Sequence, residues 1–286
     1  MKTLVTGGSG FLGQHLLPLL EEDQVWAPSS GELNLADPLA VAQAVAEFKP
    51  ERVFHLGALT SPKAASMDPD RAVLVNVGGT RSLCQAMLAH TPSARLVHVS
   101  TCHVYGRPLR NPVTEAHPLN PVGAYAQSKA AAEAEVQAVV SEGFDAVIVR
   151  PFNLFGPGQS TDYALADWCA QSVSGRHHIL CGDLDIERDY LDVRDAAQGL
   201  LLIAKRGLKG GGYNLCRGHA EPLRYLMALV APGCEPHVEP GRLRADPVAK
   251  LQGSRRKAGA LGWGPAFSLE QTAVDLRLYL SSRTSI

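Results

Sequence analysis

The chain has 286 residues, 45% of them hydrophobic, with 27 Lys and Arg against 28 Asp and Glu and a net charge of −1. That length supports a large buried core, as one large domain or a large and a small one. The balanced charge argues against nucleic acid or an anionic membrane as partner, and no apolar run is long enough to span a bilayer.

Residues 2–6 read as a short apolar strand that runs at once into a Gly-rich turn, so no signal segment is expected before it. Residues 11–20 carry apolar side chains at helical spacing, and Pro18 should shorten or kink that helix. A second strand follows at 24–27. Residues 38–48 read as a helix with Asp37 as N-cap and Pro38 as its first residue. Then come a strand at 52–56, a long helix at 71–90, a strand at 95–100, an Ala-rich helix at 124–141 and a strand at 146–150. Strands alternating with helices, some strands apolar on both faces, imply a parallel sheet covered on both sides. The fold class is therefore α/β, a Rossmann-like doubly wound sheet. Past Arg150 the rhythm loosens. Pro and Gly become frequent, and short elements are expected at 189–193, 193–204, 213–215, 222–230 and 268–281.

Gly7, Gly10 and Gly13 follow the first strand and open a helix. Gly7 suits the tight turn, Gly10 lets backbone approach a pyrophosphate, and Gly13 lets the helix pack closely on the sheet. The helix N-terminus offers free N–H groups and partial positive charge. The spacing is Gly-x-x-Gly-x-x-Gly rather than Gly-x-Gly-x-x-Gly. Residues 1–150 are accordingly expected to form a dinucleotide-binding domain, joined by a returning segment at about 183–215. Residues 151–286 should form mainly a smaller, interleaved substrate lobe. An acid at the end of the second strand would mark NAD and an Arg would mark NADP. The strand instead runs into Trp26-Ala27-Pro28-Ser29-Ser30-Gly31. Ser29 and Ser30 suit a 2′-phosphate, and no carboxylate precedes Glu32, so NADP is expected, with NAD as the alternative. Asn34, followed by Leu35, is the candidate for the adenine edge.

Tyr125 and Lys129 lie one helical turn apart in Tyr125-Ala126-Gln127-Ser128-Lys129, on one helix face. A neighbouring ammonium favours phenolate, so Lys129 should lower the Tyr125 pKa toward working pH. The phenol then exchanges a proton with a carbonyl or hydroxyl oxygen. A chance Tyr-x-x-x-Lys on a surface helix is common, but Thr101 shifts the balance. It stands just past the carboxyl end of the fourth strand, where open α/β sheets bind ligands. Its hydroxyl suits the same substrate oxygen.

Together, Thr6-Gly7-x-x-Gly10-x-x-Gly13, Ser100-Thr101…Val104-Tyr105-Gly106 and Tyr125-x-x-x-Lys129 resemble the extended short-chain dehydrogenase/reductase family of nucleotide-sugar enzymes. His55-Leu56-Gly57-Ala58, Asn76-Val77-Gly78-Gly79-Thr80 and Arg150-Pro151-Phe152-Asn153 carry the same resemblance, as do segments of the second half such as Arg188-Asp189-Tyr190 and Leu261-Gly262-Trp263. The combination is most similar to reductases that act on GDP-4-keto-6-deoxy-mannose. The resemblance implies that Thr101, Tyr125 and Lys129 are catalytic and that Gly7, Gly10, Phe11 and Leu12 hold the pyrophosphate. It places Leu56, Gly57 and Ala58 on the path to the nicotinamide and Lys129 also on its ribose. It sets Pro151, Phe152 and Asn153 beside nicotinamide and sugar, and Arg188 and Arg244 against the substrate diphosphate, which a guanidinium fork suits. It also implies a homodimer through a four-helix interface.

Departures narrow the chemistry. Related 4,6-dehydratases carry acids just before the Tyr of Val-Tyr-Gly, whereas this chain has Cys102 and His103. Elimination is thereby demoted. Cys102 and His103 remain substrate-side candidates, because epimerising relatives use a Cys or His near this position. Pro247 stands where the reductases carry a nucleoside-contacting acid. His177-His178 with Cys181 matches no strong zinc pattern, so no metal is expected. The six cysteines lack any CxxC pair and read as reduced thiols of a cytoplasmic protein. The expectation is a reductase of a nucleotide-linked 4-keto-6-deoxy sugar. Its alternatives are a C4 epimerase with bound NAD and a non-catalytic NADP-binding sensor.

Overall fold

The computed structural model describes residues 1–243 and 248–284. Its first half alternates as the apolar pattern requires: β1 (Lys2–Thr6), α1 (Phe11–Leu16), β2 (Gln24–Trp26), α2 (Pro38–Phe48) and β3 (Arg52–His55). Two short helices, α3 (Pro62–Met67) and α4 (Pro69–Ala72), lead through a π-helical turn at Val73–Gly78 into α5 (Gly79–His90). Then come β4 (Arg95–Val99), α6 (Ala124–Ser141) and β5 (Asp145–Pro151). Pro18 acts as its chemistry dictates: α1 ends at Leu16 and the chain tightens into a 3₁₀ turn at Leu17–Leu20. Asp37 caps α2 by accepting from Leu39 N and Ala40 N. The single helix expected at 71–90 is instead interrupted by the π turn, and α3 has no counterpart among the expected elements.

The second half contributes β6 (Asn153–Phe155), α7 (Ala164–Val173), β7 (His178–Cys181), β8 (Glu187–Arg188), β9 (Tyr190–Asp192) and α8 (Val193–Arg206). It continues with β10 (Gly212–Leu215), β11 (Glu221–Pro222), α9 (Leu223–Val230), β12 (Glu235–Val238), β13 (Lys250–Leu251), α10 (Arg256–Gly259) and α11 (Leu269–Thr284). The main sheet has six parallel strands in the order β10-β5-β4-β3-β1-β2, so a strand from the second half closes one edge.

Register explains why this sheet is buried on both sides. Leu4, Val53, Leu96 and Ala146 align across four strands and enter the core beneath α2, α5 and α6. Their successors Val5, Phe54, Val97 and Val147 point the other way, into the core shared with Leu16 of α1 and Leu200 of α8. Side chains alternate along a strand, so such strands must be apolar throughout. A third core, including Phe155, Trp168, Leu226 and Leu276, packs α7, α9 and α11 together. Among the described residues, no helix is long and apolar enough to cross a membrane.

Candidate active site

All six strands of the main sheet run the same way, so their carboxyl ends form one edge. The turn after β1 and Thr101 after β4 both lie on it, with only β3 between those strands. Adjacent strands stand about 5 Å apart, which sets the two features roughly 10 Å from one another. The residues after β3 fill that gap. Leu56 N–H donates to Thr6 O (3.1 Å) and Gly57 N–H to Thr6 Oγ1 (3.2 Å).

The glycine turn is closed by Gly10 N–H to Gly7 O (3.0 Å). Gly7 adopts φ +73°, and a Cβ there would lie 2.7 Å from Gly57 N. A Cβ on Gly13 would press on Gly7 O and stand 2.5 Å from Gly8 O. Backbone thus packs on backbone inside the turn, and no side chain at 7, 10 or 13 covers it. This bare cradle at the start of α1 fits a pyrophosphate. Phe11 and Leu12 are the first residues of the helix, both half-buried.

The exit from β2 departs from expectation. The Ser29 N–H and Oγ–H both donate to the Glu32 carboxylate, each at 2.8 Å. These two bonds hold the Glu32 pKa below the ordinary carboxylate range. Of the two serines expected for a 2′-phosphate, Ser29 is therefore occupied by an anion. Asn34 is likewise engaged locally, its Oδ1 accepting from Ala36 N (3.0 Å). Leu35 packs where a Cβ on Gly57 would meet its Cδ1 at 2.7 Å.

Thr101 is buried and caps the 3₁₀ turn Cys102–Tyr105, accepting from His103 N (3.3 Å). Its hydroxyl faces the Tyr125 phenol closely enough to favour the phenolate. The His103 ring lies edge-on to the Tyr125 ring, centroids 6.2 Å apart. Lys129 is buried, and its Nζ donates to Val99 O (2.7 Å). Burial lowers the Lys129 pKa to about 8, against the pull of Glu133. The expected acidic Tyr125 is corrected here. Burial pushes its pKa well above the ordinary phenol value, and the Thr101 hydroxyl only partly offsets that. The ammonium expected to acidify it is committed to the Val99 carbonyl.

Helix α6 is anchored from below. Arg150 of β5 holds the buried Glu133 carboxylate at 2.9 and 2.6 Å, and its Nη1 donates to Tyr105 Oη (2.9 Å). Tyr105 Oη in turn donates to Asn214 Oδ1 (2.7 Å).

Cys102 is removed from the substrate side. It packs with Val104, Tyr105, Phe152 and Cys216, and burial and then the Asp189 charge push its thiol up to about 12. A thiol so perturbed stays protonated. Pro151 and Phe152 are buried at the end of β5. Asn153 is half-buried and its Nδ2 donates to Asp189 O (3.3 Å). Arg188 is buried, with Nη1 donating to Glu187 O (2.7 Å). Ala58 lies beyond Gly57 on the same wall, half-buried. Arg244 and Pro247 fall outside the described residues. His178 is exposed beside Glu235 (3.6 Å) while Cys181 is fully buried, so the two do not converge. Among the described residues, no cluster of His, Cys, Asp or Glu has the makings of a metal site.

Two residues near the site escape the sequence patterns. Tyr163 Oη approaches Thr60 Oγ1 at 3.5 Å and raises the Tyr125 pKa electrostatically. Ser128, hidden inside the Tyr-x-x-x-Lys motif, donates to Tyr125 O (2.9 Å). An aromatic just after a Gly-Pro-Gly-Gln loop is the only signal the sequence offers for Tyr163.

A glycine cradle and a Tyr–Thr hydroxyl pair on one edge of a doubly wound sheet define a dinucleotide-dependent oxidoreductase fold. The chain belongs to the NAD dependent epimerase/dehydratase family, whose model matches residues 3–216. It is 33% identical to GDP-6-deoxy-D-mannose reductase of Pseudomonas aeruginosa over 98% of this chain and 96% of that one. The solved structure of RMD from Pseudomonas aeruginosa complexed with NADPH superposes with TM-score 0.90, at 29% identity over 99% of both chains. UDP-glucose 4-epimerase of Thermus thermophilus, in complex with NAD, gives TM-score 0.88 at 26% identity over 100% of both chains.

Proposed function

We propose that the chain is an NAD(P)H-dependent reductase of a nucleotide-linked 4-keto-6-deoxy sugar, of the GDP-6-deoxy-D-mannose reductase type. The observation that carries this reading is the Thr101–Tyr125 hydroxyl pair on the same sheet edge as the bare glycine cradle. Full-length similarity to a reductase of that class supports it.

The reduced dinucleotide, when bound, supplies a hydride to C4 of the sugar. Tyr125 gives its phenolic proton to O4, and the ketone becomes a secondary alcohol. Thr101 holds that same oxygen. The protonated phenol is the form that a proton donor needs at the start of the reaction. Lys129, buried one turn along the same helix, would hold the nicotinamide ribose. Gly7, Gly10, Gly13, Phe11 and Leu12 hold the pyrophosphate, and Leu56, Gly57, Ala58 and Pro151 line the nicotinamide side. Asn153 and Arg188 face the nucleotide sugar, and His103 stands beside the reacting oxygen. The reading includes a cytoplasmic homodimer through a four-helix interface. Six free thiols and the exposed apolar side chains of Met67, Val73 and Leu74 support that part.

The test is turnover of GDP-4-keto-6-deoxy-mannose with NADPH or NADH, followed by loss of the reduced nicotinamide absorbance. Wild-type protein should consume the dinucleotide. Tyr125→Phe should lower turnover by about 10²–10⁴-fold, the usual worth of general acid catalysis, while still binding dinucleotide. Protein that retains NAD through purification and interconverts a UDP-hexose without net consumption is an epimerase, and the reductase reading then fails. A dinucleotide-binding protein that turns over neither substrate is a sensor.

A further inference from the structure

A buried chain of hydrogen bonds runs from the glycine turn to the Tyr125 helix, and the reaction as proposed uses none of its side chains. Thr80 Oγ1–H donates to Asn76 O (2.6 Å), so its one proton is spent. Thr80 Oγ1 therefore accepts at its 3.0 Å contact with His55 Nε2, and that nitrogen carries the hydrogen. His55 is buried, close enough to the Lys129 ammonium to feel its charge and 5.3 Å, centroid to centroid, from the His98 ring. Burial first, then Lys129, lowers its pKa to about 3, so the ring is neutral. Its Nδ1 is then a bare acceptor for Thr6 Oγ1–H (2.7 Å), and Thr6 Oγ1 in turn accepts from Gly57 N–H (3.2 Å). Every donor points one way, from Gly57 through Thr6, His55 and Thr80 to Asn76.

Asn76 passes the connection on. It sits in the π-helical turn between α4 and α5, a distortion that places its carboxamide inward. Its Oδ1 accepts from Leu59 N (2.7 Å), and its Nδ2 donates to Leu59 O (3.2 Å) and to Ser128 Oγ (2.9 Å). Ser128 then donates to the Tyr125 carbonyl. Thr6, Thr80, Asn76 and Ser128 are all buried, so each lost partner costs a desolvated polar group.

We infer that His55 is a positioning residue, whose neutral Nε2–H tautomer locks the glycine turn, the segment after β3 and the Tyr125–Lys129 helix into one register. The inference deepens the function proposed above and rests on it for the turnover readout alone. His55 touches neither the sugar nor the reacting atoms. It acts through Thr6 on the cradle and through Thr80 and Asn76 on α6.

The test combines imidazole nitrogen NMR of the full chain with two variants. The His55 signals should report the Nε2–H form and stay unchanged between about pH 5 and pH 8, where an ordinary histidine titrates. His55→Phe keeps an aromatic ring but breaks the chain at its centre. It should weaken dinucleotide binding about tenfold and lower turnover at saturation about tenfold, the worth of one hydrogen-bonded contact, with KM for the sugar nucleotide nearly unchanged. His55→Gln keeps a donor toward Thr80 and should recover most of both losses. An Nδ1–H tautomer, titration in that window, or wild-type binding and turnover in His55→Phe overturns the inference. Should His55→Phe fail to fold, the tautomer and the His55→Gln kinetics decide. Should the wild type reduce no nucleotide sugar, the function falls, and the tautomer together with dinucleotide affinity still decides whether His55 positions the cradle.

Discussion

Replacing Gly13 by alanine tests the glycine cradle most directly. The added methyl would press on Gly7 O and lie 2.5 Å from Gly8 O and 2.7 Å from Gly8 C. These are backbone atoms of a turn already pinned by the Gly10–Gly7 hydrogen bond, so no flexible side chain swings aside. Either α1 lifts off the sheet or the turn opens. Overpacking of this kind costs about 1–3 kcal/mol. If the turn opens, the cost falls on the pyrophosphate site, and 3 kcal/mol is about a hundredfold in affinity. If the helix lifts, it falls on stability, at about 2–4 °C in melting temperature per kcal/mol for a chain of this order. The control is Gly259→Ala in α10, where an added Cβ meets nothing within 4 Å. That change should be neutral or stabilise slightly. Dinucleotide titration and thermal melting of the unliganded protein separate the two routes. A Gly13→Ala protein that binds NADPH as the wild type does and melts at the same temperature refutes the reasoning.

Glu32→Gln removes the anion held by Ser29, and its binding should shift toward NADP(H) over NAD(H) by about a few-fold, as expected for weak charge repulsion near water. Titrating both dinucleotides measures the ratio, and an unchanged ratio would rule out Glu32 as a neighbour of the 2′ position. His55 and His98 are buried with pKa values lowered first by burial, and His98 has no hydrogen-bond partner at either ring nitrogen. A lowered folded-state pKa means that the unfolded chain takes up protons first, so stability is full above about pH 6.5 and is lost as pH falls toward 3. At pH 5 the loss is about 2 kcal/mol for His55, and melting temperature should drop accordingly. His98→Leu should raise stability by about 1–3 kcal/mol at neutral pH and flatten the acid slope, because two buried unpaired nitrogens disappear. A steeper acid slope in that variant would contradict this account.

Much of the architecture was legible because the period of the side chains carries it. The Asp37-Pro38 start of α2 and the span of α6 follow from local chemistry, and the strands that became β1, β3, β4 and β5 are apolar on both faces as a covered parallel sheet demands. The π turn was not legible, because Val73-Leu74-Val75-Asn76-Val77-Gly78 reads as ordinary helix and the distortion answers a tertiary need at Asn76. Strands of two or three residues, such as β8, β11 and β13, exist only through their partners. At the site, spacing placed Tyr125, Lys129 and Thr101 at the right end of the sheet. It carried no information on the Val99 carbonyl that takes up the Lys129 ammonium, nor on the Glu32 side chain that folds back onto Ser29.

The sheet order also bears on how the molecule is made. Strand β5 lies inside the finished sheet, paired on one side by β4 and on the other by β10. As the nascent chain leaves the ribosome, β5 emerges long before β10, and throughout synthesis of residues 152–211 its far side has no neighbour. The waiting strand is the run Ala146–Pro151, buried in the native state. An unpaired apolar edge of that kind invites pairing with other chains. The interval during which this edge stands open to mispairing is therefore set by the topology, and it ends when Gly212–Leu215 reaches the sheet.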